Sequence, residues 1–210
     1  KSDKWVDGSV DKVPIVYSDN YDISFMQLER LHHFDTHKYS KIAQMLEDSG
    51  YNRELWHAPQ KITDQELLLV HTKNYLEILK NPRVISNIAE LPILRLLPQR
   101  ILDNQLLSPI RYATGGTILG AELALQEGWA INLSGGYHHA KAESGGGFSF
   151  IADIPIAVEN LWQSNPDLKV MVIDLDAHQG NGFEAIFKDN SQVYIVDVYQ
   201  ENNYPRDHEV

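Results

Sequence analysis

The stretch from Val170 to Gly182 reads VMVIDLDAHQGNG, and it joins an apolar run to a polar end that contains glycine. Its first four residues are apolar and mostly β-branched, which predicts a buried β-strand. In an extended segment, side chains two residues apart point the same way. The pattern therefore predicts that Asp174, Asp176 and His178 lie on one face at the carboxyl end of a strand.

Two carboxylates and an imidazole this close favour a bound cation, because like charges repel and desolvate one another without one. Aspartate oxygen with histidine nitrogen suits zinc, with iron or manganese as weaker alternatives. An isolated Asp-x-His is also common where no metal binds. The position of Asp176 and His178 favours a functional site, because ligands of open α/β sheets bind beyond the carboxyl ends of the strands.

A second polar cluster, Tyr137-His138-His139, follows a glycine turn and a predicted buried strand at 129–133. On such a turn both imidazoles can face one cavity, where one can take a proton from an activated water and the other can protonate a leaving amine. Asp174 could hold one imidazole in its protonated form, and Asn181 could orient the other without adding negative charge. The alternative is a pair of hydrogen-bonded core histidines, which the tandem position after two glycines makes the weaker interpretation.

Composition limits the class of protein. The chain has 210 residues, 43% of them hydrophobic, which predicts one domain, or a large part of one, over residues 1–210. A net charge of −11 without a basic cluster argues against nucleic acid or an anionic membrane as partner. The absence of cysteine excludes disulfides and thiolate ligands and favours a cytoplasmic or nuclear setting. No apolar run is long enough for a transmembrane span, and no signal peptide is evident.

Alternating strand and helix patterns predict an α/β fold with a mostly parallel sheet and helices on both faces. The segment 83–108 has a poor period and is predicted as irregular helix and loop. His32 and His33 are more typical of turn or rim residues than of ligands. Strands are predicted at 13–17, 56–59, 129–133, 170–173 and 192–198, and helices at 36–49, 63–70, 71–81, 114–127, 156–163 and 183–187.

These residues together resemble the zinc-dependent histone deacetylase family, and within it the class IV branch. The motifs that carry the resemblance are DLDAHQGNG at 174–182, the histidines 138 and 139, GGGF at 145–148, ADI at 152–154 and DVY at 197–199. Tyr17, FD at 34–35, VHT at 70–72, TGGT at 114–117 and YP at 204–205 add to it. The resemblance spans nearly the whole chain.

The resemblance implies an arginase/deacetylase-like three-layer α/β/α fold and hydrolysis of N-acyl-lysine amides in peptides or proteins. It implies zinc, with Fe²⁺ as the alternative, held by Asp176 and His178. His138 and His139 become the catalytic pair, with Asp174 as the partner of the first. Asn181 stands where most branches have aspartate, as in class IV members, so the second histidine is less easily charged.

The resemblance also assigns substrate and cation contacts. Phe148, next to Gly147, would form one wall of the tunnel that grips the lysine methylenes. A monovalent-cation site, possible for K⁺, would use the backbone carbonyls of Asp174, Asp176 and His178, with Asp197 and Val198.

The chain departs from the family pattern in one respect. The third zinc ligand, an aspartate, and the tyrosine that stabilises the transition state lie beyond the strand at 193–198, and neither is found before Val210. We therefore expect weak zinc binding and little or no hydrolysis from these 210 residues alone. The reading frame past Val210 decides between an enzyme and a non-catalytic acyl-lysine binding or scaffold protein.

Related hydrolases with other substrates remain alternatives. Ureohydrolases resemble this arrangement, but Gly180 stands where they place an aspartate that helps to hold a second manganese, so a mononuclear site is expected here. An acetylpolyamine or other small-molecule amide hydrolase remains possible. The oligomeric state is not predicted from the sequence.

Overall fold

The computed structural model describes residues 13–24 and 35–207. His32, His33 and Phe34 lie outside the described residues, so the interpretation of these positions stays untested. Within those two ranges, no helix is long and apolar enough to cross a membrane.

Eight α-helices and four short β-strands alternate along the described part of the chain. The helices are α1 (Lys38–Asp48), α2 (Asp64–Leu67), α3 (Lys73–Ile78), α4 (Pro82–Ile88), α5 (Gln99–Leu102), α6 (Ser108–Glu127), α7 (Asp153–Ser164) and α8 (Asn181–Phe187). The strands are β1 (Ile15–Val16), β2 (Ile131–Asn132), β3 (Val170–Asp174) and β4 (Val193–Asp197). A π-helical turn, Asp103–Leu107, joins α5 to α6.

All strand pairs are parallel, in agreement with the predicted α/β class. Strand β1 pairs with β2, and β3 pairs with β4 in a register that places Asp174 opposite Asp197. Because the carboxyl ends of parallel strands lie at one edge, this register brings the polar ends of β3 and β4 together.

Helix α6 is the longest element and packs against both α7 and the β1–β2 pair. It begins at Ser108, earlier than the predicted start at 114, because Pro109 is tolerated in a first helical turn. The segment 83–108 contains most of α4, a 3₁₀ turn at Pro92–Leu96, α5 and the π-helical turn, which agrees with the predicted irregular helix and loop.

The segment 56–59, predicted as a strand, forms only one isolated bridge. His57 exchanges backbone hydrogen bonds with the strand around Val16, donating to Ile15 at 2.8 Å and accepting from Tyr17 at 3.1 Å. Pro59 then removes a backbone donor, which prevents a longer ladder.

Alternate residues of β3 and β2 are exposed, in contrast to the predicted fully buried strands. Val172 of β3 faces a core cluster formed with α7 and α8. Met171 and Ile173 point the other way and are 59% and 61% exposed, and Ile131 of β2 is 41% exposed. No segment within 13–24 and 35–207 covers this second face of β3.

Two glycines of α6 provide a matched test of how closely this helix packs against its neighbours. A Cβ on Gly115 would overlap the backbone carbonyl of Gln60, whereas a Cβ on Gly120 would meet its nearest atom, in Asn132, at 3.7 Å. We expect Gly115→Ala to lower the free energy of unfolding by about 1–3 kcal/mol. Gly120→Ala should leave it unchanged or raise it by up to about 1 kcal/mol, because alanine is the better helix former. Urea denaturation measures both, and equal effects would contradict this packing.

Candidate active site

The polar residues after β3 lie in a turn and not in the strand itself. β3 ends at Asp174, whose Oδ1 accepts the backbone N–H of Asp176 at 2.9 Å. Oδ1 of Asp176 accepts the backbone N–H of His178 at 2.8 Å in the same way. The predicted alternation of side chains along an extended strand is therefore wrong for these positions, because short carboxylates bond to the backbone two residues on and bend the chain.

Asp176 and His178 nevertheless point at each other. Oδ1 of Asp176 and Nδ1 of His178 are 2.9 Å apart, and the side chains are 53% and 43% exposed. Two ligands on one tetrahedral zinc ion are separated by roughly 3.3 Å, as zinc–oxygen and zinc–nitrogen bond lengths require. A small opening of this pair would thus admit an ion. Among the described residues, no group of three or more His, Asp or Glu side chains is arranged to hold a metal.

His138 and His139 follow β2 and lie beside this pair. Their ring centroids are 4.0 Å apart, and the ring of His139 is 6.0 Å from that of His178. The structure thus brings the tandem histidines and the Asp176–His178 pair into one place, although the pairs are nearly forty residues apart in sequence.

A buried carboxylate holds the turn that presents the histidines. Asp153, at the start of α7, accepts the backbone N–H groups of Gly136 and Tyr137, both at 2.8 Å, and the hydroxyl of Thr117 at 2.6 Å. Gly135 has φ +94°, and a Cβ there would overlap Thr117 and Asp153. Sequence reasoning used Asp153 only as part of a motif and missed this role, because nothing in the local pattern marks which backbone it binds.

Asp174 favours the protonated form of His138. Its Nδ1 lies 2.8 Å from Oδ2 of Asp174, and both side chains are nearly buried. Burial lowers the pKa of His138, but the hydrogen bond to Asp174 and its negative charge outweigh burial and raise the pKa above its usual value. Burial raises the pKa of Asp174, but the hydrogen bonds from His138 and the Asp176 N–H outweigh it and lower the pKa. Both shifts favour an imidazolium–carboxylate pair.

His139 is held neutral. Its Nδ1 lies 3.0 Å from Oδ1 of Asn181, and both residues are buried. Burial and the neighbouring charge of His138 lower the pKa of His139 to about 4. The pKa values of the two adjacent imidazoles are therefore shifted in opposite directions, because one has a carboxylate partner and the other an amide.

Asp197 and Val198 lie beside the end of β3. Oδ2 of Asp197 accepts the N–H of Gly180 at 2.7 Å, while its Oδ1 is buried and accepts no hydrogen bond from the described residues. Val198 donates its N–H to the carbonyl of Asp174 at 3.1 Å. Burial raises the pKa of Asp197. A buried acceptor without a donor is compatible with a nearby cation.

The segment 145–148 lies against His139 from another side. The imidazole of His139 and the ring of Tyr204 leave no room for a Cβ on Gly147. Phe148 has φ +65°, and its N–H donates to the carbonyl of Ile88 at 3.0 Å. A cavity of about 270 Å³ is lined by the glycine segment, Tyr204 and residues of α3 and α4, but by neither tandem histidine.

Three contacts around the histidines were not predicted from the sequence, because each joins residues that are far apart along the chain. The ring of Tyr204 stands edge-on to His139, with centroids 5.0 Å apart. Asp207 accepts from Asn181 at 3.0 Å and from Lys141 at 2.6 Å.

The pKa shifts of His138 and Asp174 predict how the pKa of His138 changes when the Asp174 carboxylate is removed. In Asp174→Asn, the carboxylate that raises the pKa of His138 most is gone while burial remains, so this pKa should fall below its value in the parent chain. Metal-free protein titrated by NMR, with resonances assigned by single histidine substitutions, measures the change. Asp189→Asn, on the surface after α8, is the control. A His138 pKa that stays high in Asp174→Asn would contradict the assignment of its partner.

A histone deacetylase domain family model matches residues 32–210. Histone deacetylase 2 of Arabidopsis thaliana is 42% identical over 205 residues, which cover 97% of this chain and 53% of that protein. Histone deacetylase 1 of Homo sapiens is 26% identical over 180 residues, which cover 82% of this chain and 37% of that protein. The chain thus spans about half the length of the first of these relatives and less of the second.

The crystal structure of the HDA15 HD domain superposes with a TM-score of 0.70 at 20% identity, covering 92% of this chain and 57% of that one. This similarity confirms the α/β fold class predicted from the sequence, that of the arginase/deacetylase type. With the family match over most of its length, the chain belongs to the histone deacetylase family.

Proposed function

We propose that this protein is a zinc-dependent amidohydrolase that removes acyl groups from lysine side chains of proteins or peptides. The observation that carries the proposal is the pair of adjacent imidazoles, with ring centroids 4.0 Å apart and different hydrogen-bond partners, beside the carboxylate and imidazole of Asp176 and His178. Acid and base in contact are what cleavage of an amide by water requires.

The histidines divide the proton transfers according to their partners. His139 is neutral and directs Nδ1 at the Asn181 amide oxygen, which leaves the lone pair of Nε2 to accept a proton from water. Asp174 favours the protonated form of His138, which can protonate the leaving lysine amine. The base thus has an amide partner and the acid has a carboxylate partner.

Asp176 and His178 would hold the metal. When bound, zinc polarises the substrate carbonyl and lowers the pKa of water, and Fe²⁺ is the alternative ion. The chemistry of the two donors suits zinc, but two protein ligands fall short of the three that catalytic zinc sites use. We therefore propose that residues 1–210 alone bind zinc weakly and hydrolyse little or no substrate.

Substrate and cation contacts follow from the segments around His139. Gly147 and Phe148 would flank the lysine methylenes, and a net charge of −11 suits a basic peptide. Asn181 supports placement near the class IV branch, which admits long acyl chains as well as acetyl. Asp197, with its buried unpaired oxygen, and Val198 would border a K⁺ site that the backbone carbonyls of Asp174, Asp176 and His178 complete.

Two alternatives use the same residues. An acetylpolyamine or other small-molecule amide hydrolase would need the same proton transfers but no protein-sized groove. A non-catalytic acyl-lysine binding protein is favoured by one observation, that the described residues provide only two candidate ligands in contact. We place the protein in the cytoplasm or nucleus, where acyl-lysine proteins are available.

Substitution of the tandem histidines tests the reaction. In the full-length gene product, His138→Ala and His139→Ala should each lower kcat for an acetyl-lysine peptide by about 10²–10⁴-fold, because each removes one proton-transfer group. His37→Ala, a partly exposed histidine before α1, serves as control and should retain activity. Steady-state assays on a panel of acyl-peptides and acetylpolyamines measure this, and unchanged kcat in both variants would overturn the proposed mechanism.

Zinc titration of the 210-residue chain tests the ligand assignment. We expect weak binding that falls at least tenfold further in Asp176→Asn and in His178→Ala, because each removes one of two ligands. His57→Ala, away from the pair, should bind like the parent chain. Competition with a fluorescent chelator gives the dissociation constants. Zinc-dependent turnover by the 210 residues that is lost in His138→Ala would contradict the expected inactivity.

A further inference from the structure

We propose that Asp207 is a positioning residue which, with Lys141, fixes the orientation of the Asn181 amide and thereby the tautomer of His139. The catalytic meaning of this tautomer rests on the proposed function, but the tautomer itself does not. Neither Asp207 nor Lys141 belongs to the motifs from which the site was predicted.

Three hydrogen bonds connect Lys141, Asp207, Asn181 and His139 in one continuous chain. Lys141 Nζ lies 2.6 Å from Oδ2 of Asp207. The same oxygen accepts from Nδ2 of Asn181 at 3.0 Å, and Oδ1 of Asn181 lies 3.0 Å from Nδ1 of His139. The path thus runs from a half-buried ammonium group to an imidazole that is 7% exposed.

An asparagine side chain alone does not determine the tautomer of a histidine beside it. Its amide has one accepting end and one donating end, and a half-turn exchanges them. With the oxygen toward His139, Nδ1 must carry the proton. With the nitrogen toward His139, Nδ1 must accept, and the proton moves to Nε2.

Asp207 removes this ambiguity because an ionised carboxylate can only accept hydrogen bonds. The NH₂ end of Asn181 must then face Asp207, and its oxygen must face His139. The ammonium of Lys141 favours the ionised carboxylate. A neutral imidazole has one N–H, so a proton fixed on Nδ1 leaves Nε2 as the acceptor.

The reverse orientation of the Asn181 amide would be penalised at the end that faces Asp207. The Asn181 oxygen would lie against the Asp207 carboxylate, two acceptors in contact without a proton between them. Asn181 is buried, so water would not relieve that contact. An aspartate at position 181 would need no such help, since either of its oxygens accepts. An asparagine needs an external group to set its direction, and Asp207 lies where that group must be.

A merely structural role is the competing explanation. The Lys141–Asp207 ion pair joins the segment after β4 to the segment after the histidines, and it could act only as a tether. A tether would alter stability when broken, but it would not change which ring nitrogen of His139 carries the proton.

The tautomer of His139 can be read directly by NMR. We would label the 210-residue chain with ¹⁵N-histidine, remove metal with chelator, and record long-range ¹H–¹⁵N spectra near pH 7, assigning His139 by its loss in His139→Gln. The parent chain should show His139 protonated at Nδ1. In Asp207→Asn the ratio of the Nδ1–H to the Nε2–H form should fall at least tenfold, because an amide at that position can donate as well as accept.

Matched variants separate this effect from loss of structure. Glu201→Gln, an exposed acid in the same segment, should leave the tautomer unchanged, and Asp207→Glu should restore it. In an Asn181→Asp background, Asp207→Asn should no longer change the tautomer. Should Asp207→Asn fail to fold, Asp207→Ser asks the same question with a hydroxyl that also donates and accepts.

An unchanged His139 tautomer in folded Asp207→Asn and in Asp207→Ser would overturn the proposal. This measurement needs neither substrate nor metal, so it can succeed or fail independently of the proposed function. In the full-length protein, Asp207→Asn should lower kcat for an acetyl-lysine peptide while KM stays within about twofold. A parallel rise in KM with unchanged kcat would assign Asp207 to substrate binding instead.

Discussion

The hydrogen bond between His138 and Asp174, 2.8 Å long and nearly buried, is the interaction on which the arrangement of the site depends. It joins the turn after β2 to the end of β3, two segments that share no direct strand pairing within the described residues. Because it favours the protonated form of His138, it also contributes to the lowered pKa of the adjacent His139. Position and charge state are thus set by the same contact.

Two other constraints keep this contact in place. The buried carboxylate of Asp153 gathers the backbone of the turn from one side, through Gly136 and Tyr137. From the other side, the N–H of Gly182 donates to the carbonyl of His138 at 2.8 Å, which ties the start of α8 to the same turn. Hydrogen bonds to the backbone therefore hold the histidine turn from both sides. Glycine is required at positions 135 and 182, where a Cβ would overlap neighbouring atoms.

The sequence was sufficient for the fold class, the family and the identity of the clustered residues, because these depend on local patterns. The run before Asp174 and the glycines before His138 each carry their signal within a few positions. Contacts between distant segments carry no such signal. Asp207, Tyr204 and Asp153 were therefore missed as neighbours of the histidines, although two of them lie in motifs that supported the family.

Burial was the feature predicted least well. Ile173 was expected inside because it is apolar and β-branched, yet it is 61% exposed, since no described segment packs on that face. Apolar character reports what a face can pack against and not whether a neighbour is present. The turn at Asp176 shows a second limit, because a carboxylate that bonds to the backbone ends the alternation that a strand would continue.

Zinc-edge anomalous diffraction from crystals of the full-length protein would show whether Asp176 and His178 share an ion. We expect one strong zinc peak next to the side chains of Asp176 and His178, with the rings of His138 and His139 facing it. A zinc peak elsewhere in a zinc-loaded crystal, or one with those two side chains turned away, would show that this site is not the metal centre.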